Sequence, residues 1–161
     1  MSEAAVAQSN VVPIVDVDNI RLTVMTKEQA IENWDVLQPY LAPVFEMSAG
    51  RIDADDALKQ IVDDLAEVLL IWDPPAHRIY AVIVAEAKIY PKKRVFCLGL
   101  CGGEHIHLWA EKMWPAIQAV ARKKGFDQIE VTGRRGWKRF IPGAREIATF
   151  YAMDLDKKGG E

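Results

Sequence analysis

The chain has 161 residues, half of them hydrophobic and 27% charged, which excludes a disordered or low-complexity protein and fits one domain. No run of about 18 uncharged apolar residues exists, and the N-terminal stretch MSEAAVAQSNVVPIVDVD has no basic n-region and carries acids early, so neither a membrane helix nor a secretory signal is expected. The net charge of −3 conceals an asymmetry: residues 1–67 carry 13 acids and 4 Lys/Arg, residues 68–161 carry 10 acids and 16 Lys/Arg. The two halves either complement each other within one fold, or the basic half faces a phosphate-bearing ligand.

In chain order, residues 1–19 read as a flexible N-terminal arm and 156–161 as a polar tail, leaving 20–155 as a single domain. Ile20–Val24 reads as a strand. Thr26 and Gln29 form a capping box, T-x-x-Q, ahead of a helix whose stripe is Ala30, Ile31, Trp34 and Leu37. Pro39 should end or bend that helix, and a short piece carrying Leu41, Val44 and Phe45 should close at Gly50. Asp53 caps the next helix, with Asp55 and Asp56 at the positive end of its dipole and Ala54, Leu58, Ile61 and Leu65 on one face. The period then changes. Val68–Trp72, Ile79–Ala87 and Val95–Cys101 are continuous apolar runs with short breaks at Asp73-Pro74-Pro75 and Pro91-Lys92-Lys93, which predicts an antiparallel meander buried on both faces. Gly102-Gly103 open a long helix to about Lys124 with the stripe Ile106, Trp109, Met113, Ile117, Val120 and a proline, Pro115, in its middle. Gln128–Thr132 is a strand, Gly133–Phe140 a loop or short helix, and Ala148–Leu155 a closing strand.

This order resembles the GNAT (GCN5-related N-acetyltransferase-like) fold over residues 20–155. The resemblance rests on Ile20–Trp34 as opening strand and capped helix, Leu100–Ala121 as strand, turn and helix, and Ile129–Leu155 as the ending. It implies an α+β fold, a mixed and mostly antiparallel sheet with helices on both faces. The string GRRGWKRF before a hydrophobic strand is similar to GNAT-like proteins of tailed phages and prophages, some of them virion or morphogenesis proteins.

The family cradles the pyrophosphate of acetyl-CoA on backbone N–H groups at a helix N-terminus, in a turn [Q/R]-x-x-G-x-[G/A]. The matching segment here is Leu100-Cys101-Gly102-Gly103-Glu104-His105. It lacks the Gln/Arg and the G-x-G/A spacing, and Glu104 adds negative charge. Gly102, Gly103, Glu104 and His105 are therefore a degenerate cofactor turn. Acetyl transfer needs a base for the amine proton, and Glu86 and Glu130 are carboxylates in predicted strands. The tyrosine that the family often uses as acid after the penultimate strand is absent, that region holding Trp137 and Phe140, and Tyr151 is not a clean match.

Outside the resemblance, Arg134, Arg135, Trp137, Lys138 and Arg139 combine charge with an aromatic ring, a pattern that suits a protein partner, a nucleic acid or a solvated face. Cys97 and Cys101, about 13 Å apart on one strand face, are too far for a disulfide with each other. His105 and His107, two apart, do not make the i, i+4 pair of a helical zinc site, so no metal is expected. Five tryptophans suit a core or an interface.

The leading expectation is a phage-type GNAT-fold protein that works in the cytoplasm or virion through contacts with other proteins, such as virion components, or as a homo-oligomer. It has no membrane role, requires no cofactor and has weak or lost activity. The alternative is a divergent N-acetyltransferase that uses acetyl-CoA. A nucleic-acid-binding protein is the third expectation. Hydrolase elbows, Walker and Rossmann fingerprints are absent.

Overall fold

The structure is a computed structural model that describes residues 17–133 and 135–156. After a 3-10 turn at Val17–Asn19, the elements are β1 (Arg21–Val24), α1 (Lys27–Glu32), α2 (Trp34–Met47), α3 (Ala54–Val62), β2 (Ala66–Asp73), β3 (Arg78–Tyr90), β4 (Lys93–Gly103), α4 (Ile106–Lys123), β5 (Gln128–Val131) and a 3-10 segment, Arg135–Phe140. The sheet has the order β1-β2-β3-β4-β5. The first four strands pair antiparallel, and β5 joins β4 in parallel.

The helices form where local chemistry starts them. Thr26 Oγ1 accepts from the Gln29 N–H at 3.1 Å while Gln29 Oε1 accepts from the Thr26 N–H at 3.0 Å. Asp53 and Asp56 make the same reciprocal box at α3. The sequence reading places a break at Pro39, but the chain breaks earlier, at Asn33, and Pro39 and Pro43 both lie inside α2. Each proline removes one backbone bond. The helix tolerates that loss because Leu37 and Leu41 are wholly buried against the sheet and Trp34 nearly so. Leu65 is not on the buried face of α3. The helix ends at Val62, Leu65 is 65% exposed, and Ala57 and Ile61 take the inward positions.

Two cores sandwich the sheet. One face carries Leu69, Ile71, Ile83, Phe96 and Leu98 against Trp109, Met113 and Ile117 of α4. The other carries Val68, Leu70, Val82 and Val84 against Trp34, Leu37, Leu41 and Ile61 of the first three helices. Strands buried on both sides explain the unbroken apolar runs.

Three expectations are corrected. Gly102 and Gly103 do not open α4; they belong to β4, paired with Val82 and Ala81, and the helix starts at Ile106. The β3–β4 register slips between Val84 and Ala85, which face Leu100 and Leu98, so Gly99 is a bulge residue. That extra residue puts Cys97 and Cys101 on opposite faces rather than on one, Cys101 packing with Leu98 toward α4. Finally, Ala148–Leu155 is not a strand. The segment has no regular structure and is exposed throughout, and among the described residues no strand pairs with it. Residues 1–16 of the expected arm and 157–161 of the tail lie outside the described residues.

Candidate active site

The parallel β4–β5 pairing runs only from Val95–Gln128 to Leu98–Val131. Beyond it β4 continues through Gly99 to Gly103 with no strand partner on that side among the described residues, starting at the bulge. The candidate side chains collect at both ends of this open edge.

At its far end is a cavity of about 250 Å³, walled by Cys101, Gly103, Glu104, His105 and Ile106 on one side and Trp137, Arg139 and Phe140 on the other, with Trp109 beneath. The expected cofactor turn and the basic-aromatic loop thus line one pocket. His105 is the N-cap of α4 in the left-handed conformation, φ 55°, and makes no side-chain cap; the Leu108 N–H turns back to the His105 carbonyl at 2.8 Å, and the N–H groups of Ile106 and His107 are the ones a ligand could meet. The Trp109 indole N–H donates to the Glu104 carbonyl at 3.0 Å and ties the turn to the helix. The Glu104 carboxylate is held 3.7 Å from the Arg78 guanidinium and 3.8 Å from His105 Nε2. Arg78 also lies 4.9 Å over the Tyr80 ring.

The two glycines serve packing. A Cβ on Gly102 would sit 2.0 Å from the Tyr40 carbonyl oxygen of α2, and one on Gly103 would sit 2.2 Å from the Tyr80 carbonyl oxygen. Of the remaining residues expected in the loop, Lys138 is exposed, Arg135 starts the 3-10 segment, and Arg134 lies outside the described residues.

At the near end the register aligns Glu86, Cys97 and Glu130 in one row across β3, β4 and β5. The two candidate bases are therefore brought together, about 10 Å apart with a thiol between them. Glu130 is 3.6 Å from Lys88. Burial pulls the Lys88 ammonium down, but Cys97, Glu130, Tyr90 and Glu86 together outweigh it and raise its pKa. Burial raises the Cys97 thiol, keeping it protonated, with Lys88 opposing. Glu86 Oε1 lies 3.8 Å from the Cβ direction of the bulge residue Gly99. Glu86 also lines a broader groove of about 450 Å³ bounded by Thr26, Lys27, Asp64, Glu67 and Lys124. There Lys27 pairs with Asp64 at 3.0 Å and Lys124 with Glu67 at 3.1 Å, so Glu86 is the groove carboxylate without a contact ion pair among the described residues.

Sequence reading missed Tyr40. It projects from α2 near Glu104 and Arg78, and burial raises its phenol pKa, with Glu104 adding to the shift. Nothing in its local sequence marks it, since only the packing of α2 on β4 brings it there. Tyr151, by contrast, is 93% exposed. Among the described residues no group of three His, Cys, Asp or Glu side chains is placed to hold a metal, and the His105 and His107 rings meet edge-on at 6.0 Å. No described helix is long and apolar enough to cross a membrane.

A mixed five-stranded sheet with helices on both faces and a parallel fourth and fifth strand is a GNAT-like α+β fold, and solved acetyltransferases share it. An aminoglycoside acetyltransferase from an uncultured soil metagenomic sample, solved with sisomicin, is similar to 88% of this chain over 100% of its own, with a TM-score of 0.63 at 15% identity. The ribosomal-protein-alanine N-acetyltransferase of Brucella melitensis biovar Abortus 2308 matches 84% of this chain over 99% of its own, at a TM-score of 0.59 and 13% identity. An acetyltransferase of Trypanosoma brucei matches 84% over 99%, at 0.55 and 14%. No protein-family model matches the sequence, and no curated protein matches it. The expected phage or virion role finds no support among these structures.

Proposed function

We propose that the chain is a divergent N-acetyltransferase that uses acetyl-CoA, with the acceptor amine bound in the Glu86 groove. The observation that carries this reading is the open edge of β4, with a phosphate-sized pocket at one end and a carboxylate row at the other. The residues present fit the cofactor. The uncapped N-terminus of α4 supplies N–H donors, Arg139 supplies a positive group, and Trp137 supplies an aromatic wall. Glu104, which would repel phosphate, is drawn toward Arg78. From Gly103 back to Gly99 the edge spans roughly 13 Å, and an extended chain lying on it ends beside Glu86 and Cys97.

Acetyl-CoA supplies the activated acetyl thioester when bound. Glu86, free of a contact ion pair and facing the groove, takes the proton from the acceptor amine. Glu130 is held by Lys88 and positions it beside the Cys97 thiol, which stays neutral. Glu86, the groove carboxylate left without a contact ion pair, favours a cationic acceptor. The resemblance of the fold to acetyltransferases supports this reading over an assembly protein that binds no cofactor.

Thermal shift and calorimetry with CoA test it. Saturation at 100 times the dissociation constant raises stability by about 2.7 kcal/mol. No shift at millimolar CoA refutes the proposal. Glu86→Gln should cut turnover about 100-fold or more with little change in CoA affinity, while Glu130→Gln has the smaller effect.

A further inference from the structure

The hairpin between β3 and β4 runs on past the strands beside it. β2 pairs with β3 only as far as Ala66–Glu86, and β5 pairs with β4 only from Val95–Gln128. The two-stranded ribbon continues through the pairs Ile89–Arg94 and Tyr90–Lys93 to the turn at Pro91. Its tip therefore projects roughly 7 Å beyond the last neighbouring pair. At that tip Ile89 is 65% exposed and Tyr90 48%, and Pro91 is exposed as well.

Cations gather around this apolar tip. Lys92, Lys93 and Arg94 follow it in the chain, all exposed, and the end of α4 brings exposed Arg122 and Lys123. The two segments are tied together. The Arg94 N–H donates to Asp127 Oδ2 at 2.9 Å, the Asp127 N–H donates to the Arg94 carbonyl at 2.8 Å, and the Arg94 guanidinium lies 5.5 Å over the Phe126 ring. The neighbouring acids are engaged: Glu67 with Lys124, Glu130 with Lys88, and Asp127 with the Arg94 backbone. Lys92, Lys93, Arg122 and Lys123 have no contact ion pair among the described residues. The field at this end of the sheet is positive.

We infer that the hairpin tip docks on an anionic lipid bilayer, Ile89 and Tyr90 entering the headgroup layer while Lys92, Lys93, Arg94, Arg122 and Lys123 face the lipid phosphates and carboxylates. Two features favour a bilayer over a nucleic acid. Ile89 offers neither a stacking face nor a hydrogen bond to a base, and a projecting tip is not a groove that tracks a phosphate chain. At a bilayer the same residues sort by depth. The aliphatic side chain goes deepest, tyrosine sits at headgroup level, and lysine stems lie along the apolar layer with their ammonium groups at the phosphates. Such docking needs no spanning helix, so the lack of long apolar runs, from which the sequence predicts no membrane role, does not bear on it. The inference stands apart from the acetyltransferase reading, since its test reads lipid binding without CoA.

Flotation of the full chain with vesicles tests it. The protein should rise with vesicles of phosphatidylcholine and phosphatidylserine at about 7 to 3, and stay down with phosphatidylcholine alone. Binding should fall steeply as salt is raised from about 0.05 to 0.5 M. Lys92→Glu with Lys93→Glu should weaken it at least about 30-fold, and Ile89→Ser with Tyr90→Ser about 10-fold. Lys138→Glu with Arg145→Glu makes the same change in charge on and after the 3-10 segment and should leave binding unaltered. All three variants should melt with the parent. A full chain that does not float with the anionic vesicles overturns the proposal, including one that instead binds single-stranded RNA through Lys92 and Lys93. Binding that survives Ile89→Ser with Tyr90→Ser undiminished also overturns it, as does binding that the Lys138 and Arg145 reversal weakens equally.

Discussion

Gly102→Ala separates a glycine needed for packing from one needed for phosphate. The added Cβ lies 2.0 Å from the Tyr40 carbonyl oxygen and 2.8 Å from its carbon, where ordinary contact begins at 3.4 Å. The obstacle is the backbone of a helix, not the tip of a flexible side chain, so α2 must retreat by about 1.4 Å locally. That helix seats Leu37 and Leu41, both 0% exposed, on the sheet. Overpacking of this kind costs about 1–3 kcal/mol, and a rigid obstacle places the cost near about 3. For a domain of this length the melting temperature should fall by roughly 6–12 °C. Calorimetry without ligand is the assay. Gly99→Ala is the control: its Cβ meets Glu86 Oε1 at 3.8 Å and Cys97 Sγ at 3.9 Å, ordinary contacts, and its loss should stay under about 1 kcal/mol. A Gly102→Ala variant that melts within about 2 °C of the parent and loses only its CoA-induced shift refutes the reasoning.

Further expectations concern charge and caps. Burial pushes the Cys101 thiol from 9.0 up to about 12, so the folded state holds its proton longer than the unfolded chain. The stability this gives is complete below about pH 9 and is lost as pH rises toward 12, with a slope of at most about 1.4 kcal/mol per pH unit, and Cys101→Ala should flatten denaturant midpoints measured across that range. Arg78→Met frees Glu104 beside the pocket proposed for CoA and should weaken CoA binding about 5- to 10-fold by calorimetry, whereas Glu104→Gln should tighten it. Thr26→Ala and Asp53→Ala each remove one half of a capping box and should each cost about 1 kcal/mol in urea unfolding.

Local signals were the legible ones. Thr26 with Gln29, Asp53 with Asp56, and Gly125 after Lys123 mark helix ends through contacts within three or four residues, so a linear reading finds them. The doubly buried strands follow from their unbroken apolar runs. Glu86 and Glu130 stand in the sequence as strand carboxylates, but their alignment with Cys97 depends on register. Register in turn depends on the bulge at Gly99, which no periodicity shows. The glycines of β4 read as a turn because a pair of glycines most often is one. Their reason is the approach of Tyr40 and Tyr80 backbone from other elements. Pro39 is a strong local stop that buried Leu37 and Leu41 override. Ala148–Leu155 has the alternation of a strand, yet alternation states a capacity to pair and names no partner.

The unpermuted order of the strands has a kinetic consequence. β2, β3 and β4 follow one another through tight turns, so their pairing closes short loops and can proceed while the ribosome is still making the rest. β5 is different, because it reaches β4 only after the whole of α4 has been laid across the sheet. The parallel seam is then the last to zip and rests on four residue pairs. In native-state amide exchange it should open well before the meander, and its opening would lengthen the free edge of β4 that begins at Gly99.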